Sequence, residues 1–153
     1  MTISRSAVVI IGALSIVVGA LAGAAALGTT DSQGFVRITP EEIKWERTED
    51  GLQRATIEGD PSKPGIYVIR VKFTPGVMSR PHYHREDRLA VVLKGTWYTG
   101  TGDQFAPDKT VGLKPGSFMK HPAGAHHYDG AKDEEVIVQI VGYGPSTTTQ
   151  VKP

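Results

Sequence analysis

Apolar residues follow two regimes along this chain. From Ala7 to Gly28 they run almost unbroken, "AVVIIGALSIVVGALAGAAALG", without a charge. Beyond Gly34 they come in short bursts separated by Gly and Pro, and no 3.6-residue period is sustained. The bursts are "GIYVIRVKF" (Gly65 to Phe73), "RLAVVLKG" (Arg88 to Gly95), "TWYTGT" (Thr96 to Thr101), "TVGL" (Thr110 to Leu113), "SFMKH" (Ser117 to His121) and "EEVIVQIVGYG" (Glu134 to Gly144). Their β-branched and aromatic content predicts strands, and the whole predicts an all-β domain. "TPG" at Thr74 to Gly76 and "KPG" at Lys114 to Gly116 put Pro where a preset φ helps and Gly where a positive φ is needed. Lys94 and Gly95 predict a tight hairpin. One helical turn interrupts the β pattern. In "TPEEIKW", Thr39 is an N-cap, Pro40 the first helical residue and Glu42 the capping-box partner.

Leu89 to Leu93 and Val136 to Val138 are apolar at every position. A strand with one wet face should alternate, so these two are expected to be covered on both faces. A lumen would lie on one side and a second sheet or a second copy on the other. A homodimer is therefore expected.

The uncharged run follows a single basic residue, Arg5, and ends in small residues, which marks an export segment. It is long for a signal core and just long enough to cross a bilayer. The small residues Ala24 and Ala26 favour a cleaved signal peptide over 1–26; an uncleaved membrane-anchor helix is the alternative. Under both readings Arg5 stays cytoplasmic and the domain is periplasmic or secreted. "GTTDSQG" (Gly28 to Gly34) reads as a flexible tether over 27–35, leaving the folded domain at 36–153.

The totals narrow the function. The chain has 153 residues, enough for one modest core, and 17 Lys+Arg against 16 Asp+Glu. Removing 1–26 deletes one Arg and no acid, leaving 16 against 16. A neutral surface gathers no phosphate backbone, which argues against nucleic acid as partner. Zero cysteines exclude disulfides, thiolate catalysis and a lipidated cysteine. No Gly-x-Ser-x-Gly elbow occurs, and "TGTGD" with Gly100 and Gly102 reads as a hairpin loop rather than a dinucleotide site.

Histidines carry the chemistry. Along an extended strand His82 and His84 project the same way, about 7 Å apart at the backbone. Glu86 and Arg88 share their parity if the strand stays regular. His126 and His127 follow a Pro-Ala-Gly bend in "HPAGAHHYDG". Three imidazoles from two distant strands are a usual donor set for a divalent transition metal. His121 and His126 read as neighbours of the ligands or as plain strand-end histidines.

These stretches resemble the two signature motifs of the cupins. The first motif, Gly-x5-His-x-His-x3,4-Glu-x6-Gly, is matched by Gly76, His82, His84 and Gly95, with Arg88 at its Glu position. The second, Gly-x5-Pro-x-Gly-x2-His-x3-Asn, is matched by Gly116, Pro122, Gly124 and His127, with Ala131 at its Asn position. The resemblance implies a jelly-roll β-barrel (double-stranded β-helix) holding Fe, Mn or Zn on His82, His84 and His127. Arg88 opposes a cation there, which leaves three routes. Glu86 replaces the lost carboxylate while Arg88 turns outward or pairs with it; three histidines alone hold the ion; or the site is metal-free and Arg88 binds the carboxylate of an organic ligand. Tyr128, beside the second motif, is expected to line the pocket with Arg88. The implied function is a metal-dependent enzyme acting on a small organic molecule, with an oxygenase foremost. The runner-up is a non-catalytic cupin that captures a small anion.

Overall fold

The computed structural model describes residues 28–152. The expected signal or anchor segment therefore lies outside the described residues. The strands are Thr29–Thr30 (β1), Val36–Arg37 (β2), Glu46–Arg47 (β3), Gln53–Glu58 (β4), Gly65–Phe73 (β5), His82–Tyr83 (β6) and Arg88–Lys94 (β7). They continue with Trp97–Thr101 (β8), Val111–Leu113 (β9), Phe118–His121 (β10), His127–Gly130 (β11), Val136–Gly144 (β12) and Thr149–Gln150 (β13). β1, in the segment read as a tether, pairs with β2 just beyond it in a two-stranded ribbon whose turn is closed by the Asp31 side chain. The turn at Pro40–Glu42 forms as a 3-10 helix, with Thr39 N–H donating to Glu42 Oε2 at 2.7 Å.

Two antiparallel sheets make the body, one in the order β10-β7-β12-β5-β4-β3 and the other β13-β6-β11-β8-β9. From β5 onward the chain changes sheet at almost every connection, winding a jelly-roll barrel. This corrects the reading of Lys94-Gly95. The partners of β7 are β10 and β12, not β8, so that turn carries the chain from one sheet to the other. Gly95 is required there for two reasons: its φ is +70°, and a Cβ would lie 2.3 Å from the Glu135 carbonyl oxygen.

Alternation builds the core. Tyr67, Ile69, Val71 and Phe73 of β5 point inward with Val136, Val138 and Ile140 of β12, Ala90 and Val92 of β7, and Trp97 of β8. Arg88 continues the inward parity of Ala90 and Val92, so the strand drives a guanidinium into the barrel. The opposite parity is open. Leu89, Val91 and Leu93 are about 40% exposed, and Phe118, which faces Val91 across β10, is 60% exposed. The expectation that Leu89 to Leu93 is covered on both faces is thus not met among the described residues, where no second layer packs on that side.

Candidate metal centre

β6 and β11 are adjacent and antiparallel, and their register sets His82 directly opposite His127. His84 follows two residues after His82, and all three side chains are buried. The sheet thus brings together what 43 residues of sequence separate. Ring centroids lie 4.4 Å apart for His82 and His127, 5.0 Å for His82 and His84, and 5.2 Å for His84 and His127. Imidazoles bound at about 2.0–2.1 Å to one ion have centroids about 4.5–5.3 Å apart for ligand angles between square and tetrahedral. The triad has the spacing of a shared ion.

Tautomers support the same conclusion. His82 Nδ1 lies 2.7 Å from the Arg80 carbonyl oxygen, His84 Nδ1 2.7 Å from that of Thr147, and His127 Nδ1 3.0 Å from that of Ala125. A carbonyl oxygen only accepts, so each Nδ1 carries the proton and each Nε2 keeps its lone pair. This is how metal-binding imidazoles are usually oriented. His127 Nε2 is buried with no partner, an orphaned lone pair that an ion would satisfy.

Arg88 sits against the triad. Its side chain is 5% exposed, and Nη1 lies over the His84 ring, 2.7 Å from Nε2 and 3.0 Å from Nδ1. It neither turns outward nor pairs with Glu86. Glu86 lies beyond the end of β6, where the chain bends and the even parity breaks, and its carboxylate accepts from Thr147 N–H at 3.3 Å. It is not among the groups that converge with the histidines. Tyr128 is also displaced from its expected place. Being next to His127 on β11, it faces the other way, donates to the Ala106 carbonyl at 3.1 Å and packs on Phe105. It does not line the cavity. His126 likewise turns away, to Asp103 and the face of Tyr83.

A cavity of about 50 Å³ adjoins the triad, room for roughly three or four water-sized groups. Two of its residues were not placed there by the sequence: Asp129, which it does not single out, and His121, which it leaves between a ligand neighbour and a strand-end histidine. His121 lies across from Arg88 in the β10–β7 register and stacks on His127 with centroids 4.0 Å apart. Asp129 follows His127 by two residues and so shares its face; its Oδ1 accepts from Ser79 Oγ at 2.8 Å. Together His121, His127 and Asp129 form a second cluster of possible ligand atoms. Strand parity was the available signal: His121 is in phase with the core-packed Met119, and Asp129 with His127.

Burial keeps these rings neutral. It lowers His84 to about 3, helped by the charge of Arg88, and His121 to about 2, helped by its imidazole neighbours. His127 is also lowered, chiefly by burial, with Asp129 pulling the other way. Burial likewise depresses the Arg88 guanidinium.

Comparison with known proteins completes the picture. The family model of the ChrR cupin-like domain matches residues 33–147. The chain belongs to the cupin superfamily. No curated protein matches this cupin in sequence. Among solved structures it is similar to the polyketide cyclase RemF from Streptomyces resistomycificus, at 16% identity, covering 78% of this chain and 87% of that one, with a TM-score of 0.65. It is similar to KdgF from Halomonas sp., at 20% identity over 69% of this chain and 91% of that one, TM-score 0.55. A third is the DMSP lyase DddQ from Ruegeria pomeroyi, at 16% identity over 72% and 62%, TM-score 0.59. At such identities the likeness is one of fold.

The lowered imidazoles make stability depend on pH. Between the ordinary value of 6.5 and the depressed folded values, the unfolded chain binds protons that the folded cupin refuses. Stability is therefore full above about 6.5 and falls as pH drops toward 3, on the order of 1 kcal/mol per pH unit for each such histidine. In chelator, the denaturant midpoint should decline steadily from pH 7 to pH 5. A midpoint that is flat or rises over that range contradicts a neutral, buried cluster.

Proposed function

We propose that this cupin is an exported, metal-dependent enzyme that acts on a small organic molecule, with oxygenase chemistry foremost. The observation that carries the reading is the set of three Nδ1–H groups tied to backbone carbonyls, which leaves three Nε2 lone pairs converging. His82, His84 and His127 would hold the ion. Imidazoles without a carboxylate suit zinc or iron better than manganese. A bound ion would supply Lewis acidity or, as iron, dioxygen chemistry. The chain's own residues supply the rest. Phe73, Trp97, Val138 and Ile140 wall the cavity against bulk water, and Arg88 offers a charged fork to an anionic group of the substrate.

Metal analysis tests this. Protein purified without added metal or tag histidines should carry close to one ion per chain. Alanine at His82, His84 or His127 should weaken binding by at least about 100-fold, more than loss of a mere supporting contact. An absence of metal with full thermal stability in chelator would favour the second reading, a metal-free binder of small anions. One observation speaks for that alternative: the buried Arg88 guanidinium already lies against the His84 ring.

Export and pairing belong to the same proposal. Export rests on the uncharged run from Ala7 to Gly28. A homodimer rests on the exposed apolar stripe of Leu89, Val91, Leu93 and Phe118, which a second copy would cover. Protein recovered from the extracytoplasmic fraction should have the mass of residues 27–153 and scatter light as a dimer. A cytoplasmic monomer contradicts both parts, whereas an exported monomer contradicts only the pairing.

A further inference from the structure

Several buried side-chain nitrogens among the described residues lack any hydrogen-bond partner: Nε of Arg54 and Arg88, Nε1 of Trp97, both ring nitrogens of His121, and Nε2 of His127. Arg54, Arg88, Trp97 and His121 all border the cavity beside the triad. Native interiors leave only a few polar groups unpaired per hundred residues. A concentration of them around one void therefore describes the chemistry of what fills it.

The unpaired atoms are of two kinds. His127 Nε2 and one nitrogen of His121 are lone pairs, which a cation satisfies. Arg54 Nε, Arg88 Nε and Trp97 Nε1 are N–H donors, which only an acceptor satisfies.

Charge points the same way. Neither Arg54 nor Arg88 forms an ion pair with a carboxylate among the described residues. The like charge of Arg54 weighs on Arg88. The acids in the neighbourhood are engaged elsewhere: Asp129 with Ser79, Glu86 with Thr147, and Asp50 with Thr48. An ion on the triad would sit close to Arg88 Nη1, which lies over the His84 ring, 2.7 Å from Nε2 and 3.0 Å from Nδ1. That leaves a dication beside the buried guanidinium of Arg88 and the half-buried Arg54, with Asp129 and Glu86 offsetting part of the charge, an excess that an anion would relieve.

We propose that the cavity takes up a small carboxylate anion on Arg88 and Arg54 together with the divalent ion, each strengthening the binding of the other. The inference rests on the metal reading of the triad. The size of the cavity limits the enclosed part to a carboxylate head of about acetate size. A neighbouring pocket shares Arg54, Arg88 and Thr148 with this cavity and adds Thr56 and Ser146, giving the remainder of a larger acid a place to lie.

The test is cobalt(II) affinity, measured by chelator competition and the visible spectrum of the bound ion, at constant ionic strength. About 50 mM acetate should tighten cobalt binding roughly tenfold, while the neutral isostere acetamide leaves it unchanged. Arg88→Gln should abolish the acetate effect and, by removing a positive charge beside the triad, tighten binding in its absence. Arg54→Gln should reduce the effect. Cobalt bound equally well with and without acetate overturns the inference and leaves the metal reading standing. No cobalt uptake under either condition overturns both. Equal enhancement by acetate and acetamide would show that water or any small polar group satisfies the donors, which also overturns it.

Discussion

A buried imidazole has one N–H to place and one lone pair to offer, and in this barrel the backbone decides which nitrogen does which. The carbonyls of Arg80, Thr147 and Ala125 each accept an Nδ1–H, so the three Nε2 atoms must present lone pairs to one another. Two of these bonds are local, made to the carbonyl two residues upstream of His82 and of His127. The third reaches from His84 to the segment before β13 and so depends on the barrel being closed. Lone pairs facing each other have no mutual attraction. Their arrangement makes chemical sense around a cation.

Arg88 sets the electrostatic problem. In the cupin motif this position belongs to a carboxylate that offsets the charge of the ion, whereas here the same inward parity delivers a cation to the same wall. Burial costs a charged guanidinium several kcal/mol unless it is paired. Among the described residues its one hydrogen-bond-range neighbour is the ring of His84. The site is thus prepared for a cation by its histidines and for an anion by its arginines, and the two preferences are reconciled only when both guests are present.

Much of this was legible in the residues. The six apolar bursts each became a strand, because β-branched side chains and Pro-Gly turns act locally. His82, His84 and His127 were found because motif spacing survives in sequence. What failed depended on non-local geometry. The Lys94-Gly95 turn has hairpin chemistry, yet β7 pairs with β10 and β12, and nothing local distinguishes a hairpin from a crossing between sheets. Tyr128 was assigned by proximity to His127, but period two places neighbours on opposite faces. Glu86 kept the right parity only for an unbroken strand, and the chain bends there. His121, open in sequence between a ligand neighbour and a strand-end histidine, needed the register of β10 on β7 to be placed in the cavity, and Asp129 needed the phase of β11.

The convergence of three anchored imidazoles on one ion is open to direct measurement. X-ray absorption at the zinc edge of the loaded protein reports both the ligand atoms and the ring scattering behind them. If the triad holds the ion, the spectrum shows three imidazole nitrogens at about 2.0–2.1 Å, with oxygen completing the shell. A zinc shell made of oxygen alone, or ring scattering unchanged when His82, His84 and His127 are replaced by alanine, would contradict it.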